Sequence, residues 1–147
     1  MWLFSCIILL SLELRLPCNT PCLLLAHTDR IFALDFDNNA NFSVISNLTY
    51  AVAVDYHYNL GYMFWSDATE RNIKRSNMDG TNITVIHNDT YCEGLAVEWN
   101  SLRLYWTETD GTNGTIMVSD FNGNNQHIVL FSRVHRPTGI ALDPYER

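Results

Sequence analysis

The chain has 147 residues, enough for one ordinary domain, and its 47% hydrophobic and 17% charged content excludes a disordered polymer. Sixteen acidic against nine basic residues give a formal charge of −7, which excludes the basic footprint that phosphate binding needs and with it a nucleic-acid partner. An acidic balance suits a basic protein partner, although net charge speaks first to solubility and association rate.

Residues Trp2 to Leu12 form an apolar run too short to span a bilayer, which takes roughly 20 residues. The run matches the hydrophobic region of a secretory signal peptide. Pro17 and the small residues Cys18, Thr20 and Cys22 stand where cleavage would occur, and no Lys or Arg precedes the run. Residues 1–22 are therefore expected to be a signal peptide, with a buried hydrophobic segment as the alternative. Four cysteines follow no CxxC spacing, and no His is placed to complete a zinc site, so no metal or cofactor is expected. Cys6 leaves with the leader, Cys18 and Cys22 lie in the cleavage zone, and Cys92 reads as a small buried residue. A disulfide from Cys92 to Cys22 is the lesser alternative.

Past the leader, Leu23–Ala26, Arg30–Phe36 and Phe42–Ser46 read as three strands, with Asn38-Asn39 at the second turn. A repeat then begins. Ala51-Val52-Ala53-Val54-Asp55 returns as Gly94-Leu95-Ala96-Val97-Glu98 and again as Gly139-Ile140-Ala141-Leu142-Asp143, in steps of 43 and 45 residues. Phe64-Trp65-Ser66-Asp67 returns as Tyr105-Trp106-Thr107-Glu108, 41 residues on. Ile73–Gly80 answers Ile116–Gly123, and Thr84-Val85-Ile86 answers Ile128-Val129-Leu130. Each unit predicts four strands: 51–55 or 94–98, 62–66 or 103–107, 72–78 or 115–121, and 82–87 or 126–131. Asp79-Gly80 and Asn122-Gly123 predict type I′ hairpin turns. No helical period is present.

Four antiparallel strands per unit of about 40–50 residues is the arithmetic of β-propeller blades. The expected fold is all-β, about three blades of a partial propeller. An incomplete first blade covers 23–48, further blades cover 49–91 and 92–135, and the next opens at 136–147. The first unit lacks a leading apolar-acid strand, a place that closed propellers often fill from the C-terminus. Stacked blades bury their inner strands on both sides, so Trp65 and Trp106 are expected to pack between blades. Five Asn-x-Ser/Thr sequons, at Asn41, Asn47, Asn82, Asn88 and Asn113, exceed the roughly two that this composition gives by chance. They support export and predict glycosylated surface loops.

The Ala-Val-Asp, aromatic-Trp-Ser/Thr-acid and Asp/Asn-Gly series resembles the YWTD repeat of the low-density-lipoprotein receptor and its related receptors (class B repeats). Gly94–Trp99, Leu104–Glu108 and Arg136–Pro144 carry the resemblance most closely, and it covers roughly residues 23–147. The opening Leu23–Ile31, the loop Tyr56–Tyr62 and Phe64–Asp67 with Ile73–Arg75 resemble the first propeller of the Wnt co-receptor branch. The resemblance implies a six-bladed propeller on the extracellular side, secreted or at the cell surface. It implies secreted protein ligands of Wnt or Wnt-antagonist type, with no small-molecule substrate and no catalytic residue. Ligands would meet the loops Ala68–Arg71, Tyr91–Glu93 and Thr109–Asn113, through Ala68, Thr69, Glu70, Arg71, Glu93, Thr109 and Asp110. In the Wnt co-receptor pattern the first of these loops is acidic and recognises an Asn-x-Ile peptide of antagonists; Arg71 stands here in place of an acid. Asp67 and Glu108 match the motif's structural acid, and Asp55, Glu98 and Asp143 recur with the repeat.

Three other classes compete. A matrix or basement-membrane propeller and a lipoprotein-type endocytic receptor would share the motif. A propeller hydrolase would need acids such as Asp55, Glu98 and Asp143 to converge on a metal in the central channel. No Gly-x-Ser-x-Gly, His-Glu-x-x-His or P-loop pattern is present, and the histidines at 27, 57, 87, 127 and 135 follow no ligand spacing. A degenerate gene fragment with open sheet edges is the remaining alternative.

Overall fold

The computed structural model describes residues 7–10, 22–132 and 135–143, with side chains for 23–130 and 135–143. Twelve strands and no helix occur among the described residues. They are β1 (Ile7–Leu10), β2 (Cys22–His27), β3 (Arg30–Asp35), β4 (Ala40–Ser46), β5 (Ala51–His57), β6 (Tyr62–Asp67), β7 (Asn72–Asn77), β8 (Thr84–Asn88), β9 (Cys92–Glu98), β10 (Arg103–Thr109), β11 (Gly114–Asp120) and β12 (His127–Ser132). They form three antiparallel meanders, β1-β2-β3-β4, β5-β6-β7-β8 and β9-β10-β11-β12. The repeat read from sequence is thus one sheet per unit. In the first sheet, β1 pairs with Cys22–Leu25 of β2 and takes the inner place that β5 and β9 hold in the others. This strand lies within the stretch read as a signal peptide, of which residues 1–6 and 11–21 fall outside the described residues.

Burial falls from the inner to the outer strand of a blade. In β5 and β6 nearly every residue is buried or half-buried, whereas β8 buries only His87. The alternation of a strand explains this. Trp65 faces back into a core with Leu24, Ile31, Ile45, Val54, Met63 and Met78, and its neighbour Phe64 faces forward into a second core with Ile73, Leu95, Leu104, Trp106 and Phe121. Both cores lie between sheets, so one strand serves two interfaces, and its buried polar residues Ser66 and Asp67 each accept from backbone amides. The Trp65 and Trp106 indoles are fully buried, and their Nε1 groups make no hydrogen bond among the described residues. What they contribute is packing, and truncating either to Ala costs about 3–5 kcal/mol.

The turns differ from the expected type I′. Gly80 N donates to Asn77 O (3.0 Å) and Gly123 N to Asp120 O (3.1 Å), which closes a β-turn with glycine at its fourth position. Positive φ falls on Gly80 (79°) and Asn82 (55°), and on Gly123 (84°) and Asn125 (57°), within connections longer than two residues. The glycines serve the blade interface. A Cβ on Gly80 would collide with the Val44 carbonyl oxygen of β4, and one on Gly123 with the Ile86 carbonyl oxygen of β8. Each turn therefore docks on the outer strand of the preceding blade. Ile45 lies beneath Gly80, and His87 takes the equivalent place beneath Gly123. The His87 ring lies 4.5 Å from that of Trp106, and its Nε2 is 2.8 Å from Ser119 Oγ. That hydroxyl already donates to Asp120 O, so His87 is the donor between them.

Gly61 (65°) and Gly111 (92°) also have positive φ, but a Cβ on either meets open space. Gly61→Ala and Gly111→Ala should cost only the backbone penalty, about 1–2 kcal/mol. Gly80→Ala and Gly123→Ala should cost clearly more, measured as the shift in urea midpoint with an unchanged slope. Equal losses at all four sites would show that the docked turns do not hold the blades together.

Candidate functional site

The connections 28–29, 47–50, 68–71, 89–91 and 110–113 lie at one end of the strands. Asp67 organises this end. Its carboxylate accepts from Thr49 Oγ1 (2.7 Å), from the amides of Thr49 and Tyr50 (both 3.2 Å), and from the amides of Thr69 and Glu70 (both 3.0 Å). One side chain therefore closes the 68–71 turn and ties it to the connection entering β5. Partial burial pushes this carboxyl up, but the bonds from Glu70, Thr49 and Tyr50 outweigh it and hold the group below its usual value.

The loop residues expected to meet ligand share this end, but most are already engaged. Glu70 accepts from Lys74 Nζ (2.8 Å) and Asn72 Nδ2 (3.0 Å), and these bonds lower its pKa. Arg71 is exposed at φ 54°, and its carbonyl accepts from Thr90 N (2.9 Å). Its charge reaches Glu108 of the next blade, whose pKa burial raises against the opposing pull of Arg71 and the Tyr91 amide. Glu93 is gripped by Arg136, with Nη2 at 2.7 Å and Nε at 3.1 and 3.2 Å from the two carboxylate oxygens. Asp110 accepts from the Asn113 amide (2.7 Å) and the Thr112 amide (2.8 Å), which lower its pKa, and Thr109 Oγ1 accepts from Gly111 N (3.1 Å). Ala68 N donates to Tyr50 O (2.9 Å), and Thr69 is exposed. Sequence reasoning did not single out Lys74, Arg136 or Thr49. The Glu93–Arg136 spacing of 43 residues is one repeat, which was the available signal.

The recurring acids of the inner strands do different work. Asp55 reaches across the blade boundary, accepting from Val97 N (2.6 Å) and Tyr56 N (2.7 Å), and burial pushes its carboxyl up to about 6 despite both donors. Nearby, His57 Nδ1 accepts from Leu60 N (3.1 Å), so Nε2 donates to Trp99 O (3.1 Å). Arg75 Nη1 donates to Phe121 O and Asn122 Oδ1, both at 2.8 Å. These contacts staple the second blade to the third at the end away from the candidate loops. Glu98, the repeat partner of Asp55, instead caps its own turn, accepting from Asn100 N and from the amide and hydroxyl of Ser101. Asp143 is exposed. No group of three His, Cys, Asp or Glu that could hold a metal occurs among the described residues. Cys92 is a free buried thiol pushed up to about 12 by burial, so the alternative disulfide to Cys22 is not formed.

Three adjoining four-stranded meanders, packed β2 against β5 and β5 against β9, define a β-propeller segment. Residues 103–144 match the low-density lipoprotein receptor repeat class B. Mouse low-density lipoprotein receptor-related protein 5 is 34% identical over 105 residues, 69% of this chain and 6% of that protein. A crystal structure of a nidogen/laminin complex superposes with a TM-score of 0.75 at 21% identity, over 84% of this chain and 48% of that one. A luciferin-regenerating enzyme superposes at 0.62 and 14% identity, over 84% of this chain and 47% of that one, a likeness that shows the fold alone. The chain carries a class B (YWTD) repeat over residues 103–144 and is similar to this kind of receptor-related protein, of whose length it spans only 6%.

Two carboxyls should shape stability in opposite directions. Asp55 sits above the ordinary 3.8 when folded, so its contribution weakens as pH rises from about 4 through 6. Asp67 sits below 3.8, so its contribution is present above that value and is lost as pH falls beneath it. Urea midpoints measured from pH 3 to 8 should show a wild-type-minus-Asp55→Asn difference that changes between pH 4 and 6. The Asp67→Asn difference should change only below about 4. A flat difference for Asp55→Asn would remove the interblade carboxyl from the account.

Proposed function

We propose that the chain is an extracellular protein-binding module of a low-density-lipoprotein-receptor-related receptor of the Wnt co-receptor kind, meeting secreted ligands at the connection end of its blades. The observation that carries this reading is the shared placement of Ala68–Arg71, Tyr91–Glu93 and Thr109–Asn113 at one end of adjoining blades. The interblade faces are filled by core and are not available to a ligand. Binding rather than catalysis also fits the acids, since Asp55 and Glu98 are committed to backbone amides. In this reading residues 1–22 are a signal peptide, and its removal takes β1 away and leaves β2 as the innermost strand of the first sheet. The nidogen structure is of a complex with laminin, which favours a matrix propeller as the second reading.

The pattern's Asn-x-Ile recognition needs an acidic loop where Arg71 stands. Full-length chain secreted from cultured cells and immobilised should bind an Asn-x-Ile antagonist peptide more tightly as Arg71→Asp, by about tenfold or ~1.4 kcal/mol. Asp tolerates the left-handed backbone at this position. Asp110→Lys should weaken binding, and Leu60→Arg, exposed at the opposite end, should change nothing. Sensitivity to Leu60→Arg alone would move the site to the other end. Binding to laminin but not to the peptide in any variant would replace the Wnt-type reading with the matrix one.

A further inference from the structure

The three outer strands share an unusual composition. Ala40–Ser46, Thr84–Asn88 and His127–Ser132 contain no Lys, Arg, Asp or Glu, yet each is the last strand of its sheet and pairs with one neighbour among the described strands. Such edges present unpaired backbone groups to other chains and are normally blunted by charge, Pro or bulges that twist the edge away; each outer pair here has one register shift, but its edge strand has neither charge nor Pro. The apolar exposure is real: Ile83 is 50% and Val85 42% exposed.

The sequons fall on these edges. Asn41 lies within β4 and Asn47 directly follows it; Asn82 precedes β8 and Asn88 is its last residue. All four are exposed, and two lie on strands rather than in the loops expected from sequence. Asn113 differs. It is half-buried in the 110–113 turn, and its amide donates to Asp110 Oδ2 (3.4 Å).

We infer that N-linked glycans at Asn41, Asn47, Asn82 and Asn88 are the edge-blocking device of the first two blades, and that Asn113 stays unmodified. The inference rests on the extracellular reading above, since the glycan is added during export. The donor is a polyprenyl-diphosphate-linked oligosaccharide. Asn Nδ2 bonds to C1 of the first sugar as the C1–O bond to diphosphate breaks; the diphosphate leaves with the electron pair, and the amide gives up one proton. Each glycan is a bulky, hydrated group that keeps a second strand from approaching. The outer strand of the third blade has neither charge nor sequon, and its Ile128, Val129 and Leu130 are 54%, 53% and 50% exposed. It is the internal contrast.

The test uses the full chain expressed in cultured mammalian cells. Sites are mapped by enzymatic deglycosylation in heavy-oxygen water, and assembly is read by size-exclusion chromatography with light scattering. Asn82→Gln with Asn88→Gln should lower the soluble, non-aggregated fraction several-fold, and adding Val85→Lys should restore it. Val85→Lys should change little in the glycosylated chain, whereas Val129→Lys should raise its soluble fraction. Five empty sequons would overturn this inference and the extracellular reading together. Occupied sequons whose loss leaves assembly unchanged, or is not rescued by Val85→Lys, would overturn this inference alone. Occupancy at Asn113 equal to the other four would overturn the assignment of that site.

Discussion

Everything in this structure depends on strands that are buried on both faces. Phe64 and Trp65 are neighbours in one strand, yet they fill different cores. The middle sheet is covered on both faces and each neighbour on the face that meets it, so the packing unit is the interface between sheets rather than the sheet. The docked glycines follow from this. Gly80 and Gly123 bring a turn against a backbone carbonyl of the preceding blade, a distance that no side chain allows. The polar contacts follow too, because the backbone groups of a buried boundary need partners. Asp55 supplies one to Val97 N and Arg75 supplies one to Phe121 O.

The two ends of the strands divide the remaining work. At one end, Asp55, His57 and Arg75 reach from the second blade into the third and fix their relation. At the other, the carboxylates mostly close their own connections: Asp67 holds 49–50 to 68–71, and Asp110 holds 112–113. This second end is therefore locally rigid without being tied across blades to the same degree. Its charges present mixed signs at short range, with Glu70 beside Lys74 and Glu93 beside Arg136. A surface of that kind recognises by pattern more than by net charge.

Much of this was legible in the chain, for one reason: a repeat puts the same physical demand on the same position. The 41- to 45-residue spacing, the paired tryptophans and the four strands per unit all follow from it, and the observed strands of the second and third blades fall within a few residues of the expected ones. What stayed hidden is what equivalence conceals. Asp55 and Glu98 occupy one repeat position, but Asp55 bridges blades and Glu98 caps a turn. Ile45 and His87 occupy another, and only the latter meets a Ser119 hydroxyl. Asp-Gly signals a hairpin from sequence alone, but whether its glycine serves positive φ in a two-residue turn or close approach to a neighbouring blade depends on a partner far along the chain. The pairing of Ile7–Leu10 with β2 was equally out of reach, since an apolar run near a chain start has the composition of a leader and of a strand alike.

The gradient from inner to outer strand then constrains where function can sit. The inner strand β5 is fixed by packing on both faces, and a substitution there is felt in two cores. Outer strands are free of packing but carry the hazard of an open edge, so they are fixed by the need to avoid pairing. Only the connections at the end that holds 68–71 and 110–113 escape both demands, since the Gly80 and Gly123 turns at the other end dock on a neighbouring blade. Their backbones are held by a few acids such as Asp67 and Asp110, which leaves neighbours such as Thr69 and Arg71 exposed on a rigid support. A recognition surface needs that combination, because ordering a loose loop on binding costs affinity that a preorganised one keeps. The same repeat that makes the blades monotonous therefore makes these loops the one region where a propeller of this kind can differ from its relatives without ceasing to fold.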